Sequence, residues 1–170
     1  MRERHASQAA RQAREFESFV AGAGGRLLHT ATLLTAEAPD DNPRARRLLT
    51  VSLAHTYASW DRLRGEDPYD RTRRYLATRF AHGAWYRYGV LGIGRRARAH
   101  PASALAVLTA QERLILVLRL YEGVAEEQAA SLLGLPVERV HAICDRATAT
   151  LLHPPRSPAP AVAEAKVAPS

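Results

Sequence analysis

Apolar residues recur at helical spacing along most of the chain, and the alternation of apolar and polar residues expected of a half-buried strand is almost absent. The clearest stripe follows Asp40-Asp41-Asn42-Pro43, a helix-start signal that places a proline in the first turn. Its members are Leu49, Leu53, Tyr57, Trp60 and Leu63. This pattern predicts an amphipathic helix from residue 43 to about residue 64.

Helical spacing also occurs on both sides of this segment. Residues 16–35 predict two short helices interrupted at Gly24-Gly25, and a further helix is expected from about residue 69 to residue 88. Residues 105–152 predict a second helical unit. The sequence therefore predicts an all-α protein with two small helical domains, residues 14–88 and residues 105–152.

The remaining segments have compositions that do not support a hydrophobic core. Residues 1–13 contain no apolar run after their charges, so we expect a flexible arm rather than a signal peptide. Residues 89–104, with closely spaced glycines and arginines, predict a flexible linker between the domains. Residues 153–170 contain five of the ten prolines and predict a disordered Pro/Ala-rich tail.

The second helical unit has the spacing of a helix-turn-helix. Thr109-Ala-Gln-Glu112 fits a capping box at the start of its first helix. Further along, Ala130, Gly134 and Val140 supply the small residue at the helix crossing, the glycine of the turn and the aliphatic residue of the second helix. The expected core positions are Leu132, Leu133, Leu135, Val140 and Ile143. This unit predicts DNA binding.

The charge of the chain is concentrated in one segment. The chain of 170 residues has a formal net charge of +7, but residues 44–98 hold thirteen arginines against four acids, a net charge of +9. Lys166 is the only lysine. Because arginine binds phosphates with two nitrogens and stacks on bases, this segment favours nucleic acid as a partner. The alternative to a nucleic-acid partner is that the segment forms a solvated, arginine-rich face in a chain that generally prefers arginine to lysine.

No arrangement of residues indicates an enzyme or a metal site. Ser52, His55 and Asp61 point in different directions on one helix, and His141 and Cys144 share a helical face without further ligands at useful spacing. The longest aliphatic run, Leu114 to Leu118, is far shorter than the roughly 20 residues that span a bilayer. We therefore predict no catalytic residues, metal, cofactor or membrane contact, and a cytoplasmic location.

Three segments resemble the extracytoplasmic-function (ECF) sigma factors of bacterial RNA polymerase, in the style of an actinobacterial group. They are FESFVAGAGGRLLHTATLLT at 16–35, AHTYASWDRLRGEDPYDRTRRYL at 54–76 and LTAQERLILVLRLYEGVAEEQAASLLGLPVERVHAICDRATATL at 108–151. The resemblance implies a sigma-two-like helical domain, which in that family binds core RNA polymerase and opens the −10 element. It also implies a sigma-four-like helix-turn-helix, which reads the −35 element of promoter DNA.

The resemblance implies DNA contacts from two helices. In the −10-like helix the matching residues are Arg71, Arg73, Arg74, Arg79, Trp85, Tyr86 and Arg87. In the helix-turn-helix they are Arg139, His141 and Arg146. Arginines in these positions would neutralise phosphates, and the aromatic residues would stack on unpaired bases.

One segment departs from the pattern of that family. Where the polymerase-binding helix typically carries two acids, a Gln and a further acid, this chain has Arg46, Arg47, Thr50 and Val51. A basic surface at this place would repel the polymerase surface that the family binds. Two alternatives to a sigma factor therefore remain: a sigma mimic that binds an anti-sigma factor or another regulator, and an ordinary helix-turn-helix regulator acting as a dimer.

Overall fold

The computed structural model describes residues 2–63, 65–88 and 103–153, with side chains described over 7–63, 65–84 and 103–153. All regular structure in these residues is helical, which confirms the all-α prediction. The α-helices are α1 (Arg2–Thr35), α2 (Pro43–Ala58), α3 (Pro68–Tyr88), α4 (Ala110–Leu116), α5 (Glu126–Leu133) and α6 (Val137–Leu152). The predicted linker and tail fall almost entirely outside the described residues.

Helix α1 corrects the prediction for the amino-terminal part of the chain. It is one helix of 34 residues that passes through Gly24-Gly25 without a break, and it begins at Arg2, inside the segment expected to be a flexible arm. A glycine costs a helix interior about 1 kcal/mol relative to alanine. Burial of Leu27 and Leu34, which are completely or almost completely inaccessible to solvent, outweighs that cost.

Helix α2 begins at Pro43 as predicted, but its cap comes from elsewhere in the chain. The Glu37 carboxylate accepts hydrogen bonds from the N–H groups of Arg44 (3.1 Å) and Ala45 (2.8 Å). The helix ends at Ala58, short of the predicted residue 64, and a single 3-10 turn (Trp60–Arg62) follows. A carboxylate on the first free N–H groups satisfies donors that the helix itself leaves unpaired.

The predicted apolar stripe of α2 does not form the buried face of that helix. The buried residues are small, namely Ala45, Ser52 and Thr56, and two of the three carry a hydroxyl. Leu49 is half-buried, and the side chain of Tyr57, the last member of the stripe within α2, is exposed. Small side chains let α2 approach α3 closely, and the Thr56 and Thr72 hydroxyls lie 2.8 Å apart between the two helices.

Helices α2 and α3 form an antiparallel hairpin. His55 stacks on Tyr75 with ring centroids 3.9 Å apart, and Arg71 donates to the Ser59 hydroxyl at 3.1 Å. Residues later in α2 therefore lie beside residues earlier in α3. The amino-terminal half of α2 consequently lies beside the carboxy-terminal half of α3.

The helix-turn-helix prediction is confirmed in its local details. The capping box forms, with the Thr109 hydroxyl accepting from the Glu112 N–H and the Glu112 carboxylate accepting from the Thr109 N–H at 2.9 Å. Helix α4 continues as one π-helical turn (Val117–Tyr121). Gly134 ends α5 in the left-handed conformation with φ of 64°, the geometry that favours glycine at a helix end.

One continuous core joins the two predicted domains. Leu34 of α1 and Leu76 of α3 belong to the same buried cluster as Ile115, Leu118 and Ile143 of the carboxy-terminal unit. Arg113 strengthens this junction, because its buried guanidinium donates to the Leu34 carbonyl at the end of α1 at 3.0 Å. None of the helices in the described part of the chain is long and apolar enough to cross a membrane.

Candidate nucleic-acid interface

Helix α6 presents one face to the core and the other to solvent. Val140 and Ile143 are buried against α4 and α5, together with Ala130 at the helix crossing. Arg139 lies on the opposite, exposed face and makes no ion pair with any residue in the described part of the chain. Its guanidinium is therefore available to a ligand. Of the three basic residues predicted to contact DNA from this helix, Arg139 is the least engaged.

His141 is exposed but held between two carboxylates. Its Nδ1 lies 3.1 Å from Glu126 and its Nε2 lies 3.2 Å from Asp145. The hydrogen bond to Glu126 and then the charge of Asp145 raise the pKa of His141 above 6.5, its ordinary value. The same hydrogen bond lowers the pKa of Glu126. The imidazole is thereby biased toward its charged form, next to carboxylates that offset the charge.

Arg146 also has a carboxylate partner. Its Nε donates to Glu112 at 3.0 Å, which joins the middle of α6 to the start of α4. Burial acts to raise the pKa of Glu112, but hydrogen bonds from the Thr109 backbone, Arg146 and the Thr109 hydroxyl outweigh it and leave that pKa below its ordinary value. Glu112 is therefore charged, and the position of Arg146 depends on the capping box.

The arginines of α3 are divided between two environments. Arg71 and Arg74 form ion pairs with Glu66, and Arg73 pairs with Asp70 at 2.6 Å and with Glu122 at 3.7 Å. A cavity of about 480 Å³ between α3 and α5 is lined in part by Arg73 and Arg74. These two side chains thus face the carboxy-terminal unit.

Farther along α3 the pattern changes. Arg79 is exposed and has no ion-pair partner among the described residues. Trp85, Tyr86 and Arg87 belong to the last turns of α3, but their side chains lie outside the described residues. Of the four α3 arginines whose side chains the structure describes, only Arg79 combines exposure with a free guanidinium.

Sequence reasoning missed the polar cluster around Glu122. The carboxylate of Glu122 is completely buried and accepts hydrogen bonds from Thr30 and from the Tyr69 hydroxyl, with Arg26 at 3.5 Å. Arg26 also lies over the Tyr69 ring, 5.1 Å from its centroid. In the sequence, Glu122 precedes Gly123 and looks like the exposed end of a helix. Only the packing of α1 and α3 against this turn places it in the interior.

The residues expected to contact the polymerase or another partner all lie on the outer face of α2. Arg46, Arg47, Thr50 and Val51 are exposed. The Arg46 Nε donates to the Asn42 side chain at 2.9 Å, which holds that guanidinium at the start of the helix. Neither Arg46 nor Arg47 pairs with a carboxylate in the part of the chain that the structure describes.

Comparison with known families finds a match for the carboxy-terminal unit. Residues 104–152 match the family model described as sigma-70, region 4. That region is the DNA-binding helix-turn-helix domain of sigma factors, a regulatory and non-catalytic domain. No curated protein and no solved structure showed significant similarity to the chain. The match covers α4 to α6 together with the turn before them, which confirms a sigma-like resemblance for this part of the chain.

Proposed function

We propose that this chain is a sigma-factor-like transcription protein that binds promoter DNA and core RNA polymerase in the cytoplasm. One observation carries the proposal: the segment that matches sigma-70, region 4 is folded as a helix-turn-helix, and the outer face of α6 is exposed. In sigma factors that region binds both promoter DNA and RNA polymerase. An ECF-type sigma factor of the actinobacterial style is the specific form of this proposal, supported by the resemblance of residues 16–35 and 54–76.

Within α6, Arg139 is proposed as the main contact to DNA. It lies in the first turn of α6 with a free guanidinium, and the start of a recognition helix is the part that reaches base edges in the major groove. Arginine can donate two hydrogen bonds to a guanine there. His141 and Arg146 contribute less, because nearby carboxylates already accept hydrogen bonds from them.

In the amino-terminal part, the proposed −10 contact shifts toward the end of α3. Arg79, Arg87, Trp85 and Tyr86 are its proposed members, since Arg71, Arg73 and Arg74 are already bound to carboxylates. An arginine that must first leave a carboxylate contributes less to the free energy of DNA binding than an arginine that has no ion pair to break. Arg73, the most buried of the three, is therefore expected to have a structural role.

Transcription with purified components tests this function. The full chain is added to core RNA polymerase on a library of promoter fragments, and the start sites of the transcripts are sequenced. Promoter-specific initiation that weakens with Arg139→Ala and is unchanged with Arg14→Ala, an exposed arginine on α1, supports the proposal. Absence of specific initiation and of any complex with core polymerase refutes it.

One observation favours a second function. Arg46 and Arg47 are exposed and unpaired within the described residues, at positions where the resembling family carries acids for polymerase binding. Arginines in place of these acids would be tolerated in a sigma mimic. Such a protein binds an anti-sigma factor or another regulator and does not recruit polymerase. Affinity capture of the tagged full chain separates the two: core polymerase subunits in the captured fraction favour the first function, and an anti-sigma protein without polymerase favours the second.

A further inference from the structure

The arginines of helices α2 and α3 are sorted by position along the hairpin, whereas Arg62 of the connecting turn is exposed and has no carboxylate partner among the described residues. At the end near the connecting turn, Arg71 and Arg74 pair with Glu66, and Arg73 pairs with Asp70. At the opposite end, no arginine with a described side chain pairs with a described carboxylate. These residues without a carboxylate partner are Arg44, Arg46, Arg47 and Arg79; all four are exposed, and Arg46 donates only to the neutral Asn42 side chain. The antiparallel arrangement of the helices brings Arg79 to the same end as the other three.

Local structure does not explain why three arginines stand in the first two turns of α2. Cations near the amino end of a helix are unfavourable, each by a few tenths of a kcal/mol to about 1 kcal/mol. The first turn of α2 contains no acid. The nearby carboxylate of Glu37 accepts from the N–H groups of Arg44 and Ala45 and from no guanidinium in the described residues. No ion pair within the described residues offsets the positive charge at this end.

We propose that the free arginines at this end of the hairpin, Arg44, Arg46, Arg47 and Arg79, bind the phosphate backbone of DNA. The contact is independent of base sequence and adds to the one made by α6. The proposal extends the function proposed above and depends on DNA being a ligand of this chain. It assigns Arg46 and Arg47 to DNA rather than to polymerase.

The composition of this face favours DNA over an acidic protein. Interfaces between proteins depend on a buried apolar or aromatic centre. Between Arg44 and Val51 the exposed side chains of α2 are arginines and Thr50, with Val51 as the only large apolar residue. Protein–DNA interfaces, in contrast, are polar and strongly positive. The polar and positively charged side chains at this end therefore resemble those of a protein–DNA interface.

The position of α2 makes this a separate contact from that of α6. Helix α2 packs mainly against α1 and α3, whereas α6 packs against α4, α5 and the turn before α4. Helices α1 and α3 in turn contact α4, so α2 and α6 lie in the outer layers of the helix stack. The two surfaces therefore engage different stretches of the DNA.

The salt dependence of DNA binding tests the proposal. The affinity of the full-length protein for a fluorescent duplex of arbitrary sequence is measured by anisotropy over a series of KCl concentrations. Each phosphate contact contributes about 0.9 to the slope of log K against log salt. The double variant Arg46→Ala/Arg47→Ala is expected to make this negative slope shallower by about 1.8. The matched control Arg11→Ala/Arg14→Ala, two exposed arginines on α1, carries the same loss of charge and should leave the slope unchanged.

Each outcome decides the question. An unchanged slope for the α2 double variant, or an equal decrease for the control, overturns the proposal, as does a protein that does not bind duplex DNA. Loss of core polymerase binding with an unchanged slope shows instead that this face is a protein contact. If the slope is unchanged but Arg139→Ala still weakens promoter-specific transcription, the proposed function stands and only the α2 contact fails. Circular dichroism of both double variants confirms that they are folded.

Discussion

The hydroxyl of Tyr69 lies 2.9 Å from each carboxylate oxygen of Glu122, although 53 residues separate them in the chain. Thr30 donates to the same carboxylate, and Arg73 lies 3.7 Å from it. Burial and the neighbouring Glu122 raise the pKa of Tyr69 far above 10.0, so the hydroxyl remains protonated and continues to donate. This contact joins α3 to the carboxy-terminal unit that contains the helix-turn-helix.

Removal of the Glu122 carboxylate should therefore destabilise the whole protein. Glu122→Ala leaves the Tyr69 hydroxyl without its acceptor and removes one of the two carboxylates beside Arg73, which keeps its pair with Asp70. Loss of hydrogen bonds to a charged group costs about 1.5–3 kcal/mol. Urea denaturation measures the change in the free energy of unfolding. Glu127→Ala, which removes an exposed carboxylate from α5, is the control and should change it by less than about 0.5 kcal/mol. Equal effects of the two variants would refute the structural role of Glu122.

Two glycine-to-alanine substitutions should change stability in opposite directions. A Cβ at Gly25 or at Gly134 would meet no atom within 4 Å, so neither change causes a clash. Gly25 lies inside α1, where alanine should stabilise the protein by about 0.5–1 kcal/mol. Gly134 has φ of 64°, where alanine should cost about 1–2 kcal/mol. Thermal unfolding of both variants measures the difference, and a shift of the same sign in both would contradict the assigned conformations.

Loss of the capping box should weaken the start of the helix-turn-helix unit. Thr109→Ala removes the hydroxyl that accepts from the Glu112 N–H, at an expected cost of about 1 kcal/mol. Thr109→Ser keeps the hydroxyl and serves as the matched control. Hydrogen exchange of the Glu112 amide should become faster in the alanine variant only. Equal exchange in both variants would show that the cap contributes nothing.

The pKa of His141 should depend on its carboxylate neighbours. The hydrogen bond to Glu126 raises this pKa above 6.5 in the folded protein. Because the folded pKa is the higher one, the stabilising contribution is complete below the unfolded value and is lost as pH rises through the folded value. Titration of the imidazole signals by NMR should show a lower pKa in Glu126→Gln than in the wild type. An identical pKa would exclude the contact.

Where local chemistry decides an element, the sequence was sufficient to predict it. Proline in the first turn located the start of α2, Thr109 and Glu112 the start of α4, and Gly134 the end of α5. The core positions of the helix-turn-helix follow from the same helical spacing. Each of these signals acts within one or two turns of the chain, so it requires no knowledge of the rest of the fold.

The predictions failed where distant packing outweighs a local preference. Gly24-Gly25 disfavours a helix, yet α1 continues through it because Leu27 and Leu34 are buried, Leu34 in the core shared with the other helices. The apolar stripe of α2 pointed to a buried face that is instead formed by the small residues Ala45, Ser52 and Thr56. In both places the packing that outweighs the local preference involves residues far away in the sequence.

The sequence by itself determined the helical class, most helix boundaries, the helix-turn-helix and the excess of positive charge in one segment. Only the tertiary structure decided which of those charges are free. Arg71, Arg73 and Arg74 are paired and Arg46, Arg47 and Arg79 are not. The i,i+3 spacing of Asp70 and Arg73 is visible in the sequence, but the pairs of Arg71 and Arg74 with Glu66 and of Arg73 with Glu122 are not. An ion pair depends on the distance between two side chains, and that distance is set by how the helices pack.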